Sequence, residues 1–277
     1  MGILNRLESY LDELTTNPLA FLVRLIYTAV VVLISLILHE CAHGYVALRC
    51  GDPTAKMMGR LSLDPRKHLD PIGTASMLLL GVGWAKPVPV NSRNFKGNYV
   101  LDDFLVSIAG ITVNFTLFLL FSGLSVGINR LMWAEETYAF FREDGLLEAF
   151  VNPYKSSWAA VILYGDSAVT SAYMGTLREY VTQPWLLYLQ RFVLMMAQVN
   201  LGLAIFNFIP FPPLDGYHIF NDLILRGRFN LDYNGFRIAQ LVLIGLVMTG
   251  ALSGLLNAAN EAVYGGVLSL WLSLAGA

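Results

Sequence analysis

Charge is scarce in this chain, and cysteine is scarcer. Only 14% of the 277 residues are Asp, Glu, Lys or Arg, and the two cysteines, Cys41 and Cys50, lie nine apart on one apolar stretch. A disulfide framework is thereby excluded, and Cys41 reads as a small packing residue. No basic tract accompanies the net charge of −2, so nothing points to a nucleic-acid partner. The N-terminus lacks a signal-peptide pattern, because Met1 to Pro18 carries Arg6, Glu8, Asp12 and Glu13. Leu4, Leu7, Leu11 and Leu14 recur there at helical spacing, which suggests a short amphipathic helix on a membrane surface. Internal repeats and low-complexity tracts are also missing.

Apolar residues are abundant instead, at 56%, and the few charges are clumped between long uncharged runs. That is the pattern of a multi-pass membrane protein. The expected fold is all-α: a transmembrane helical bundle with a three-helix core, a re-entrant segment and a small extended strand region. Four stretches follow from the pattern: an N-terminal segment 1–18, a first half of the core 19–131, an insert 132–183 and a second half 184–277.

The first span runs from Leu19 to Leu48, thirty residues or about 45 Å of helix against a hydrocarbon core of about 30 Å. Arg24 and Arg49 mark its two interfaces. From Arg49 to Asn98 the chain is Gly- and Pro-rich and basic, which makes this the cytoplasmic side. Within it, Pro71 to Gly83 is too short to span and reads as re-entrant, and Ala85 to Asn91 (AKPVPVN) as an extended edge strand. The second span is expected at Asp103 to Leu131 and the third at Pro184 to Phe208. Between them, Ala134 to Gln183 is acidic and is placed outside as a small helical insert. A fourth span is expected at about Phe236 to Leu256.

The first span closes on His39-Glu40-Cys41-Ala42-His43. HExxH on a helix puts two imidazoles one turn apart on one face with a glutamate beside them, the arrangement that suits a zinc ion and a general base. With 4 His and 9 Glu, a shuffled chain would show the pattern roughly two times in a thousand. A membrane interior also penalises histidines that have no task. Two histidines are half of a tetrahedral site, and a catalytic site needs a third protein ligand and an open position. Asp215, after the proline-broken end of the third span, is the natural candidate, with a helix N-cap as its alternative role. His218 competes as a ligand only weakly. Glu40 would serve as general base. One zinc ion per chain is expected.

HECAH at the end of a long first span, Ala109-Gly110 with Asn114 in mid-chain, and a late Leu214-Asp215-Gly216 resemble the site-2 protease family of intramembrane zinc metalloproteases. Gly59 to Pro65 (GRLSLDP), followed by His68 and Asp70-Pro71-Ile72-Gly73, is similar to a loop of its prokaryotic members. The resemblance covers roughly residues 19 to 225. It implies His39, His43 and Asp215 as zinc ligands and Glu40 as catalytic base. It also implies Asn114 near the scissile bond as a substrate-positioning or oxyanion-side group, although a polar residue joining two helices is equally good physics. Many bacterial relatives carry a PDZ domain between the second and third core spans; the insert here is too short for one.

The function so implied is hydrolysis of peptide bonds in or near the transmembrane segment of membrane-protein substrates, in a prokaryotic inner membrane, with the active site near the cytoplasmic face. The alternatives are a membrane metal-handling or transport protein, against which no inverted repeat is visible, and an inactive helix-binding relative, against which Glu40 is intact.

Overall fold

The computed structural model describes residues 3–71, 73, 75–76, 85–165, 171–226, 228–229 and 231–276. Its regular elements are helices: α1 (Ile3–Thr16), α2 (Pro18–Cys50), α3 (Thr54–Met57), α4 (Tyr99–Met132), α5 (Glu135–Glu143), α6 (Glu148–Val151), α7 (Ser157–Tyr164), α8 (Ser171–Tyr180), α9 (Trp185–Asn207), α10 (Asp215–Leu223), α11 (Tyr233–Thr249) and α12 (Ser253–Leu274). Three of them, α2, α4 and α9, are each long and apolar enough to cross a bilayer. Their β-branched runs, such as Val30-Val31-Val32, are mediocre helix formers in water. In hydrocarbon every backbone N–H must find its acceptor within the segment, and the helix wins regardless.

Capping chemistry sets the ends of these helices. Before α2, the Asn17 side-chain oxygen accepts the Ala20 N–H at 3.1 Å, and Pro18 takes the first helical position, where no donor is needed. After α2, Gly51 at φ 108° turns the chain so that Asp52 N bonds Ala47 O and Gly51 N bonds Leu48 O. Helix α4 begins at Tyr99, earlier than the Asp102-Asp103 pair suggests. Asn98 accepts the Leu101 N–H as the cap, and Asp102 instead turns back to the Gly97 N–H at 3.0 Å.

The expected fourth span is divided. Helix α11 stops at Gly250, which adopts the left-handed conformation at φ 76°, and α12 starts at Ser253 with a bend of 78° between them. The apolar run from Phe236 to Leu256 is therefore not one straight helix, because a left-handed cap cannot continue an α-helix. The apolar stretch from Ala262 onward belongs to α12.

The expected edge strand at Ala85–Asn91 is extended but pairs with no strand among the described residues. Pro87 and Pro89 have no N–H to give. The donors between them go elsewhere: Lys86 N to His68 O, Val88 N to a Glu40 carboxylate oxygen, and Asn91 N to Asp52. The expected re-entrant segment Pro71–Gly83 lies mostly outside the described residues.

The chain divides into two compact units. One gathers Met1–Arg6, Val32–Phe115 and Gly202–Leu256. It is organised at its loop by Asp52, buried and accepting hydrogen bonds from Thr54, Asn91 and Asn94. Burial alone would raise that carboxyl, but these bonds hold it below the usual carboxylate range.

The other unit gathers Leu7–Val31, Thr116–Leu201 and Asn257–Ala277. In it Arg24 forms an ion pair with Glu13 and lies 4.2 Å over the Tyr10 ring, tying α1 to α2. Leu19, Leu22, Ile26 and Val30 form one exposed stripe along α2, a liability in water but the natural lipid face of a span. The acidic insert is helical and packs around Trp133, Phe141 and Phe150, whose rings lie about 5 Å apart. Its core takes in Met132 of α4 and Leu186 and Leu187 of α9, so it is built onto the ends of the spans. An antiparallel bridge between Trp133 and Val181 closes its base.

Candidate active site

The first unit contains the site. His39 and His43 lie four residues apart on α2, and their Nε2 atoms are 3.1 Å from each other. Asp215, the first residue of α10, brings its Oδ2 to 3.4 Å from both. The N-cap position of α10 is held by Leu214, so Asp215, the residue after it, does not occupy the capping position. Gly216 allows this approach by its small size, not by an unusual φ. A Cβ there would stand 2.3 Å from Phe208 O and 2.5 Å from Ile209 O, so only glycine lets α10 start against the end of α9.

The two rings are oriented from behind by α4. His39 Nδ1 is 3.0 Å from Asn114 Oδ1, and His43 Nδ1 is 2.7 Å from the Val106 carbonyl oxygen. Each acceptor takes the Nδ1 hydrogen and so leaves a lone pair on Nε2, facing the other ring and the carboxylate. Asn114 is fully buried and stands behind His39, away from the cavity wall. Between Val106 and Asn114 the α4 backbone passes close to both rings at Gly110, whose missing Cβ would lie 2.4 Å from His43 Nε2.

Such a group fits a metal ion. Two lone pairs and a carboxylate oxygen that converge this closely repel one another unless a cation lies between them. Asp215 Oδ2 is buried and accepts no hydrogen bond. Ligands at 2.0–2.1 Å from a tetrahedral zinc would be about 3.3 Å apart, and the three separations are 3.1, 3.4 and 3.4 Å. No other cluster of three His, Cys, Asp or Glu side chains with this closeness occurs among the described residues.

Glu40 lies beside the group, with its Oε2 accepting the Val88 N–H at 2.7 Å. That backbone donor, 48 residues away, has no signature in the sequence. It also withdraws Val88 from the edge expected of the AKPVPVN segment. Glu40, the three donor residues, Val88, Asp103 and His218 line one cavity of about 630 Å³. His218 does not join the metal group; its Nδ1 is 3.3 Å from Asp103 Oδ2. His68, from the loop motif, is buried with Nε2 at 2.7 Å from Ser62 O, and Cys41 Sγ is 3.4 Å from that same oxygen. Both pack the loop against α2, and both cysteines are free.

The model of peptidase family M50 matches residues 27–250, which include every residue of this group. The chain belongs to that family. This M50 member is 34% identical over 257 residues to the Bacillus subtilis protein named "Putative zinc metalloprotease YwhC", covering 91% of this chain and 94% of the relative. It is also 28% identical over 134 residues to the Mycobacterium tuberculosis protein named "Putative zinc metalloprotease Rip2", covering 46% of this chain and 52% of that one. No solved structure matches. Family and geometry agree: the M50 member is an integral membrane metalloprotease of the site-2 type, and zinc is the metal its donor group suits.

Proposed function

We propose that this protein cleaves peptide bonds in or beside the membrane-spanning segments of other membrane proteins, with His39, His43 and Asp215 holding one zinc ion. The observation that carries the reading is the convergence of two Nε2 atoms and a buried carboxylate oxygen within 3.4 Å, next to a glutamate that takes no part in the group. Zinc bound there supplies Lewis acidity, polarising the scissile carbonyl and making water a better nucleophile.

Every other task falls to side chains. Glu40 is anchored through Oε2, which leaves Oε1 to take the proton of the attacking water and return it to the leaving nitrogen. Asn114 is a positioning residue that acts through His39, fixing the tautomer in which Nε2 faces the donor group. A substrate helix has to unwind locally to expose a carbonyl, because its hydrogen bonds cover the backbone. Of the donors between Lys86 and Asn91, Val90 alone is left to pair with such an unwound strand.

The basic loop between Arg49 and Asn98 supports a site near the cytoplasmic face of a prokaryotic inner membrane. A cysteine placed at Ser92, in a variant lacking Cys41 and Cys50, is expected to react with an impermeant maleimide only after the cytoplasmic side is opened. Labelling from intact cells would reverse the orientation.

The deciding experiment pairs metal analysis with cleavage. Glu40→Gln should lower turnover about 10²–10⁴-fold and keep zinc, whereas His39→Ala and Asp215→Ala should lose both. Stoichiometric zinc in the His39→Ala/His43→Ala double variant would show that the ligands lie elsewhere. A transporter or a helix-binding protein without chemistry would keep its function in Glu40→Gln.

A further inference from the structure

Two side chains on the wall of the active-site cavity, Asp103 and His218, take no part in the metal group or in the proton transfer assigned to Glu40. His218 lies on α10, one turn past Asp215, and its Nδ1 is 3.3 Å from Oδ2 of Asp103 on α4. Its ring stacks on Phe236 of α11, at 27° between planes, and meets Tyr217 edge-on at 81°. A carboxylate and two aromatic rings thus hold the imidazole plane. The His218 side chain is 41% exposed, and Nε2 has no hydrogen-bond partner among the described residues. An imidazole on the wall of a reaction cavity that gives one ring hydrogen to a carboxylate and keeps its other nitrogen unpaired can donate a hydrogen bond from that nitrogen to an oxygen bound there.

We propose that His218, held by Asp103, is a catalytic residue that donates a hydrogen bond from Nε2 to the carbonyl oxygen of the scissile peptide as that oxygen becomes an oxyanion. The inference rests on the protease reading above. As the water oxygen bonds to the carbonyl carbon, the carbonyl π electrons move to its oxygen, and His218 stabilises that charge without giving up its proton. Glu40 carries the proton of the water to the nitrogen when the C–N bond breaks, so atoms and charge balance. The charged groups facing the ring are all negative: Asp103 from α4, and Asp222 and Asp215 from its own helix; α11 presents the neutral Phe236. The hydrogen bond to Asp103 raises the proton affinity of His218, which favours the donor form at Nε2.

The test uses the full-length, zinc-loaded protein in detergent, with fluorescently labelled casein as an unfolded substrate and a phosphinic peptide as a mimic of the tetrahedral oxyanion. His218→Ala is expected to lower kcat about 10²–10³-fold, with KM within about threefold and zinc per chain unchanged. Binding of the phosphinic peptide should weaken in parallel. His218→Gln, which keeps a donor, should recover part of kcat, and Asp103→Asn should fall between.

A kcat for His218→Ala within about threefold of the unmodified protein, or a loss of zinc that accounts for the lost activity, overturns the proposal. The parent reading fails separately. Casein cleavage by Glu40→Gln, or none by the zinc-loaded unmodified protein, refutes the protease site and this inference with it. An inert Glu40→Gln protein beside a fully active His218→Ala protein refutes the role of His218 alone.

Discussion

Gly110→Ala is a one-carbon change that should empty the metal site. The added Cβ would stand 2.4 Å from His43 Nε2, 2.5 Å from His39 Cε1 and 2.7 Å from His39 Nδ1. Ordinary contact is about 3.5–4.0 Å, so both rings must retreat by about 1 Å. They have little freedom to do so singly. His39 is bonded to Asn114 one turn beyond Gly110, and His43 to Val106 one turn before it, on the same helix that carries the new methyl. Metal–ligand distances tolerate about 0.2 Å, and disturbing the groups behind a ligand typically costs about 10–100-fold in affinity. Here the ligands themselves move, so zinc affinity should fall by at least about 100-fold, with cleavage lost. Helix propensity argues the other way, because Ala in place of Gly stabilises a helix interior by about 1 kcal/mol. Gly127→Ala isolates that effect: it lies on the same helix with nothing within 4 Å of its added carbon. Zinc per chain, titrated against graded chelator, and the thermal midpoint separate the two. Gly127→Ala should bind zinc normally and melt no lower than the unmodified protein, whereas Gly110→Ala should fold but bind zinc poorly. Full zinc and near-normal cleavage in Gly110→Ala would refute the close approach.

Val88→Pro removes the N–H that Glu40 accepts, a charge-assisted bond contributing about 1.5–3 kcal/mol. Cleavage should fall about 10–100-fold with zinc retained, while Val88→Ala, which keeps the N–H, should stay active; equal losses in both would assign the effect to the side chain. Asp222 is pushed up to about 6 by burial and by the Asp103 carboxylate, well above the usual carboxylate range. Its folded state therefore binds the proton more tightly than the unfolded chain, and the stability this gives is full below about pH 4 and lost as pH rises through about 6. Asp222→Asn should match the unmodified protein at pH 4 and exceed it by about 1–2 kcal/mol at pH 8. Thermal melts in detergent at the two pH values check this, and a less stable variant at pH 8 would count against it.

What the sequence discloses of this molecule is what local pattern can carry. Runs of twenty or more apolar residues locate the three spans to within a few residues, because a bilayer leaves such runs no other structure. HExxH is legible because both imidazoles and the glutamate sit within about one turn. Asp215 needed one further step, the matching depth of two inward-running helices, and the 3.4 Å approach to both rings agrees with it. The misreadings share a cause as well. Val and Pro alternate in AKPVPVN as they would in an edge strand, but pattern cannot say where a backbone N–H goes, and here one goes to Glu40. Hydropathy passes straight through Gly250, whose left-handed cap divides the fourth apolar run. Asp102 and Asp103 look like a helix start, yet the cap is Asn98, and Asp103 lines the cavity.

Asp103 completes a pattern that explains why the Ala109-Gly110…Asn114 motif exists at all. Asp103, Val106, Gly110 and Asn114 are spaced three, four and four residues apart, which puts them in one row along α4. Asp103 holds His218, the Val106 carbonyl holds His43, and Asn114 holds His39. Gly110, between the last two, removes the one carbon that would keep the helix from coming close enough to reach them. Helix α4 donates no atom to the metal group, yet it orients all three imidazoles on which binding and the proposed chemistry depend. A ligand's position on α2 or α10 is only half of a metal site. Which nitrogen faces the ion is decided on the neighbouring helix, and that decision is written at helical spacing in residues whose own side chains, a glycine and a valine among them, look inert.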